Sequence, residues 1–346
     1  MPRYRLRPSV ELFPAAAGDV YLLRPGGAPP AVVRRPEPAD RELLERLSVE
    51  AVPAPAGSDT ARRLAPLEAA GLLVREPPGP PLVADEAERF ARQLPYFAET
   101  GDPAATQRRL RAAHVAVLGC GGLGTWTLAA LAGLGIGRFT LADHDTVELA
   151  NLNRQILYDV DDIGAPKADR AARWVRALDP RIELRVLRRR IEGEADAVAA
   201  IDGADAVVLA ADWPPYELGR WVNRACVAAG VPFVLAGQQP PVLKVGPTYV
   251  PRRGPCFACH EQRLAAEFPL YPELAEYRRR HPTPATTLGP ASGVVGTIVA
   301  LELLHLLTGD EPVATEGRAL LIDMRTLEQR WEAIARDPDC PVCGAV

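Results

Sequence analysis

Lysine is almost missing from this chain: of 40 basic residues only Lys167 and Lys244 are lysine, and the rest are arginine. The two side chains are not interchangeable, so a lysine retained against that bias marks a place where a compact ammonium is wanted. A basic excess is missing too. The formal net charge is −4 and the pI about 5.9, which leaves no positive field to hold nucleic acid by its phosphates and excludes that class of partner. The N-terminus, MPRYRLRPSVELF, carries no long apolar run after its arginines, so a secretory signal is not expected. The most apolar stretch, around 291–307, is interrupted by Ser292, Glu302 and His305 and reads as too short for a membrane span. The expectation is a cytoplasmic protein with no membrane partner. No internal repeat at solenoid spacing is visible.

What is present is an ordinary globular balance, 48% hydrophobic and 24% charged over 346 residues, enough for one large domain and a small one. Residues 1–83 read as the small one: strands at Ser9–Phe13 and Asp19–Leu23, helices at Ala39–Leu47 and Thr60–Ala70, a wing strand at Leu72–Arg75, and a PPGPP linker at 77–81. Residues 84–346 form the other. Strand patterns at His114–Gly119, Arg138–Asp143, Ile182–Leu187, Ala206–Ala210 and Pro232–Leu235 alternate with helical ones, and an apolar helix covers Val294–Thr308. That rhythm predicts an α/β fold, a Rossmann-like, doubly wound, mostly parallel sheet, with a small winged-helix-like α+β domain at the N-terminus.

The segment VAVLGCGGLG, 115–124, is a glycine-rich turn between a strand and a helix. Gly119, Gly121, Gly122 and Gly124 let backbone approach a phosphate, and the helix N-terminus supplies free N–H groups. Asp143, at the end of the second strand, fits the acid that takes a ribose hydroxyl. These residues say nucleotide without saying which, and a dehydrogenase would satisfy them. The stretch 143–167, DHDTVELANLNRQILYDVDDIGAPK, adds Asp145, Arg154 and Lys167. A dehydrogenase has no need of the cations Arg154 and Lys167, whereas a nucleoside triphosphate does, since they neutralise phosphates and charge moving onto departing pyrophosphate. Four of the six cysteines form two Cys-x-x-Cys pairs, Cys256/Cys259 and Cys340/Cys343. In a cytosolic chain such pairs read as metal ligands, with redox disulfides as the alternative. Cys120 and Cys226 read as small core residues, and His260 as a bystander.

Together, GCGGLG, LADHDTVELANLNRQ and DIGAPK resemble the ThiF/MoeB/HesA family, bacterial relatives of ubiquitin-activating enzymes, over roughly residues 85–346. The resemblance implies ATP-dependent adenylation of a carboxylate. It places Asp143 on the ribose, Asn151, Arg154 and Gln155 along the phosphates, Lys167 on phosphate, and Asp212 beside Mg²⁺. It also implies a split four-cysteine Zn²⁺ site at Cys256, Cys259, Cys340 and Cys343. RFARQ, 89–93, is similar to a family motif whose last arginine enters the neighbouring subunit's site, which implies a homodimer with Arg92 acting in trans. One departure stands out: 281–293, HPTPATTLGPASG, holds no cysteine where sulfur-carrier-activating relatives often have one, so a thioester step on that loop is not expected.

Residues 1–83 are similar to PqqD-like peptide-recognition domains, which bind a leader peptide by strand addition. The resulting expectation is an enzyme that adenylates a carboxylate on a ribosomally made precursor peptide. Two alternatives remain: a sulfur-carrier-protein adenylyltransferase for cofactor biosynthesis, and a non-catalytic leader-binding scaffold for a cyclodehydratase. Asp143, Asn151, Arg154, Lys167 and Asp212 speak against the scaffold, since a scaffold need not keep a phosphate site.

Overall fold

The computed structural model describes residues 1–76, 79–281 and 286–344. Part of the PPGPP linker and of the cysteine-free loop therefore lies outside the described residues. The chain divides into two compact units, Met1–Arg109 and Leu110–Val346.

The first unit contains β1 (Arg3–Leu6), β2 (Glu11–Pro14), β3 (Val20–Leu23), β4 (Ala31–Val33), α1 (Pro38–Val49), β5 (Val52–Pro53), α2 (Asp59–Ala69), β6 (Leu73–Glu76), α3 (Ala84–Arg89) and α4 (Leu94–Phe97). The helix α5 (Pro103–Ala112) runs across the division. Two small antiparallel sheets form, β2-β3-β4 and β5-β1-β6. Alternation along β3 sets the inner face: Val20 and Leu22 are buried with Leu44, Leu47 and Leu64 of the two helices, while Tyr21 between them points the other way. Ser58 starts α2 by accepting the Ala61 N–H at 3.1 Å, an N-cap bond of the usual kind. The sequence pattern found β2, β3, α1, α2 and β6 but not β1, β4 or β5; the last two, at three and two residues, are too short to show a period.

The second unit opens with β7 (His114–Leu118), α6 (Gly122–Leu134), β8 (Arg138–Ala142), α7 (Lys167–Leu178), β9 (Glu183–Leu187), α8 (Glu194–Ile201), β10 (Ala206–Leu209) and α9 (Glu217–Ala229). It continues with β11 (Phe233–Gln239), β12 (Val242–Tyr249), α10 (Phe257–Glu267), α11 (Tyr271–Arg280), α12 (Gly289–Thr308), β13 (Arg318–Asp323) and β14 (Gln329–Ala333). The strands make one sheet in the order β14-β13-β12-β11-β10-β7-β8-β9. From β9 to β11 every pairing is parallel, and β12, β13 and β14 extend the sheet antiparallel. The fold is thus mixed α/β with a mainly parallel sheet, as the alternating pattern requires. The order in which strands are added reverses between β7 and β10, and doubly wound sheets open a ligand crevice at that switch point.

Behind the crevice lies α12. At 20 residues and a mean hydropathy of 1.7 it is long and apolar enough to cross a membrane, longer than the interrupted sequence pattern suggests. Val295, Val299 and Leu303 are nonetheless buried, and so is Glu302, which accepts from both the N–H and the hydroxyl of Thr315 at 2.6 Å. A Cβ at Gly296 would stand 2.7 Å from the Trp126 Cβ and 3.0 Å from the Leu123 carbonyl. Glycine there lets α12 and α6 touch backbone to backbone. The region after Gly254, which shows no period in sequence, contains α10 and α11.

Candidate functional site

The loops that follow β7, β8 and β10 converge on a cavity of about 500 Å³. After β7 the chain turns through Gly119, whose φ of +100° suits glycine. A Cβ there would come within 2.7 Å of the Ala211 nitrogen, and one on Gly124 within 1.9 Å of the Gly119 carbonyl. Gly124 therefore closes the turn from behind, while Gly119, Gly121 and Gly122 line the cavity. A Cβ at Gly122 would meet the Ser292 hydroxyl at 2.8 Å and the Arg154 stem at 3.5 Å, so its absence leaves room for that arginine.

Asp143 is pinned by backbone. Its Oδ2 accepts the Cys120 N–H at 2.7 Å and its Oδ1 the Asp145 N–H at 2.8 Å. Burial raises its carboxyl above the ordinary value, and those two N–H bonds oppose the shift. Asp145 accepts from the Lys167 ammonium at 3.0 Å, and only 8% of that lysine side chain is exposed. Lys167 is the first residue of α7, so the helix start sets where its charge can reach. Arg154 is held from behind, its carbonyl accepting the Trp126 indole N–H at 3.1 Å, while its guanidinium donates to the Ala150 carbonyl at 2.7 Å and to Asn153 Oδ1 at 3.0 Å. Gln155 is buried at the cavity wall with Oε1 unpaired. Turning that amide over offers its NH₂ instead, since the two ends are matched in shape. Asp212 reaches the rim from the end of β10, exposed to solvent.

Asp143, Asp145, Arg154, Gln155, Lys167 and Asp212 thus surround one cavity. Asn151 does not line it. Its Oδ1 accepts the Glu148 N–H at 3.1 Å, and its carbonyl accepts the N–H groups of Arg154 and Gln155, so it braces the loop that carries both. Arg92 belongs to the first unit, exposed in the turn between α3 and α4. The cavity also has walls that sequence reasoning missed. Trp213 stands beside Asp212, Thr287 faces it from the loop before α12, and Arg189 and Arg190 follow β9. The Arg190 guanidinium lies 2.8 Å from His144 Nε2. In a chain this rich in arginine, two more arginines gave no signal.

A second cluster gathers the four paired cysteines, each at most 4% exposed. Sγ atoms stand 3.7 Å apart for Cys256 and Cys340 and 3.5 Å apart for Cys259 and Cys343, and all four lie within 4.8 Å of one another. Tetrahedral zinc with sulfur at about 2.3 Å spaces its ligands about 3.8 Å apart. Amide donors already point at the sulfurs: Asn223 Nδ2 at 3.6 Å from Cys256 and the Asp337 N–H at 3.5 Å from Cys259. Such N–H···S bonds orient thiolate ligands. The residues fit a zinc ion.

Residues 90–342 match the ThiF family. The sulfur carrier protein ThiS adenylyltransferase of Escherichia coli K12 is 38% identical over 245 residues, covering 69% of this chain and 88% of its own length. The SAMP-activating enzyme E1 of Haloferax volcanii is 35% identical over 272 residues, 76% of this chain and 91% of that protein. Among solved structures, Escherichia coli MccB with AMPCPP and MccA superposes with a TM-score of 0.78 at 23% identity, covering 99% of both chains, which establishes likeness of fold over the whole length.

Protein purified without chelators should carry about one zinc per chain, because four buried sulfurs at these spacings bind that ion tightly. Cys343→Ser should lose the metal and melt at a lower temperature. Elemental analysis that finds no zinc in such protein rules the site out.

Proposed function

The chain belongs to the ThiF family and is an adenylyltransferase, and from that premise we propose that it activates a carboxylate on a ribosomally made precursor peptide. The observation that carries the chemistry is the set Asp143, Asp145, Arg154, Lys167 and Asp212 around one crevice at the sheet's switch point. ATP lies with its ribose on Asp143 and its phosphates along the glycine turn, Gln155, Arg154 and Lys167. Asp212, a hard oxygen donor at the rim, holds Mg²⁺. A carboxylate oxygen of the substrate bonds to the α-phosphorus as the bond to pyrophosphate breaks. Charge then moves onto the leaving group, where Arg154 and Lys167 meet it. Asn151 serves by bracing the loop rather than by touching phosphate. Arg154→Ala or Lys167→Ala should cost about a hundredfold in ATP–pyrophosphate exchange with the fold intact, the usual loss for one such contact. Wild-type exchange rates in both variants exclude this site.

Arg92 completes the reading. It is exposed and sits in RFARQ, so it serves the site of a second copy in a homodimer. Mixing Arg92→Ala chains with Arg154→Ala chains should recover part of the activity, since one of the two sites in a mixed dimer is then whole. No recovery after demonstrated subunit exchange rejects the trans role.

For the substrate, the first unit supplies the argument. Phe13, Tyr21 and Val32 stand opposite one another across β2, β3 and β4, and Phe13 and Val32 are 51% and 36% exposed. An apolar row beside the free edges of β2 and β4 suits an extended peptide that adds as another strand. MccB, similar in fold over its whole length, was solved with MccA, and its N-formylated form was solved with the same enzyme. The second reading, adenylation of a sulfur carrier, is favoured by the relative at 38% identity, whose name carries that activity. Phe13→Asp with Val32→Asp in the full chain separates the two. Under the peptide reading, exchange with ATP and a small carboxylate is spared while activity on a genome-neighbouring precursor falls at least tenfold. A variant that still adenylates a carrier ending in Gly-Gly, alongside a wild type inert toward every neighbouring peptide, establishes the carrier reading instead.

A further inference from the structure

The site needs two groups held in register, the glycine turn after β7 and Lys167 at the head of α7, and between them stands Tyr158. Its side chain is buried, and its hydroxyl lies 2.7 Å from the Cys120 carbonyl oxygen and 3.2 Å from that of Lys167. Burial pushes the phenol well above its ordinary range, so it remains a donor wherever the enzyme works. It has one proton to give, and the shorter contact takes it. In a planar trans peptide the carbonyl and the N–H point in opposite directions. Holding the Cys120 carbonyl on Tyr158 therefore turns the Gly121 N–H outward, on the side where Gly121 lines the cavity. Among the described residues nothing accepts that N–H. The adjoining peptide is fixed as well, because the Cys120 N–H is bonded to Asp143. Glycine at 121 makes rotation of the Cys120–Gly121 peptide cheap, and the rotated form would turn a carbonyl oxygen toward the phosphates. The turn thus needs a restraint from outside.

We propose that Tyr158 is a positioning residue for ATP: its hydroxyl orients the Cys120–Gly121 peptide so that the Gly121 N–H meets the triphosphate. This rests on the cavity being the ATP site. A residue with this role acts on phosphate and not on nucleoside, which distinguishes it from a mere core contact.

Calorimetry on the full chain reads this directly, with Mg·AMPCPP and adenosine as separate probes. Tyr158→Phe keeps the ring and removes the hydroxyl. It should raise the Kd for AMPCPP about five- to tenfold, the worth of one hydrogen bond, with the Kd for adenosine unchanged. Gly121→Pro removes the N–H itself at a φ of −82° that proline tolerates, and a Cβ there meets only the Gln155 amide, at 3.8 Å. It should weaken AMPCPP at least as much, and adding Tyr158→Phe to it should weaken binding no further. Should Tyr158→Phe fail to fold, Gly121→Pro alone decides: AMPCPP binding as tight as wild type overturns the inference. Equal weakening of AMPCPP and adenosine overturns it too, as does an unchanged Tyr158→Phe when Lys167→Ala binds AMPCPP poorly. If Lys167→Ala also binds normally, the ATP site has been misplaced, and the inference falls with it.

Discussion

Everything in the crevice depends on how closely backbone meets backbone where β7 and β10 end. The Gly119 Cα stands where a side chain would collide with Ala210 and Ala211, and the Gly124 Cα where one would collide with the Gly119 carbonyl. Two missing side chains thus press the first turn of α6 against the end of β7, and β7 against the end of β10. From that contact the rest follows. The first residues of α6, Gly122 and Leu123, line the same space as Asp143 after β8 and Asp212 after β10. The same device recurs one layer back. Gly296 lets α12 touch α6 beside Trp126, and Trp126 in turn holds the Arg154 carbonyl. A close approach deep in the fold therefore reaches a cation at the cavity wall in two steps.

Electrostatics then sets the resting state of the site. Lys167 is nearly enclosed, and its partner Asp145 is half exposed. A buried ammonium with a single carboxylate gains less than one surrounded by acceptors, so a polyphosphate brings what the resting pair lacks. Arg154 is likewise parked on a backbone carbonyl and a neutral amide, and neither neutralises its charge. The enclosure that makes Lys167 costly without an anion makes it effective with one.

How much of this the sequence carried depended on what each residue has to do. Glycines forced by close approach, an aspartate at a strand end and lysine in a chain nearly free of it are rare in combination, and they point to residues that the fold gathers around one cavity, Asp145, Arg154 and Lys167 among them. The cysteine pairs were legible for the same reason, although only the fold could bring Cys340 and Cys343 back to Cys256 and Cys259. Asn151, expected along the phosphates, braces the loop instead of lining the cavity, and asparagine caps a loop as readily as it meets a ligand. Arg189 and Arg190 were lost among arginines of every other purpose. Tyr158 carried no pattern at all, since its role comes from two carbonyls distant in the chain. The helices α10 and α11 were missed because charged residues break their apolar period, as in YRRRH at 277–281.

Sulfur decides what the adenylate can do next. The chain has six cysteines. Four are gathered in the buried cluster, Cys226 is enclosed in the core, and Cys120 has no exposure at all. Cys120 lies directly behind the glycine turn, yet its thiol does not line the cavity, and burial drives its ionisation far above the ordinary range. A thiol held that way is inert as a nucleophile. The residues outside the described set, 77–78, 282–285 and 345–346, contain no cysteine. No sulfur of this chain is therefore available to receive an acyl group from an adenylate formed in the cavity. On the proposed function, any sulfur that captures the mixed anhydride is one that the substrate or another protein brings, for a peptide and for a carrier alike.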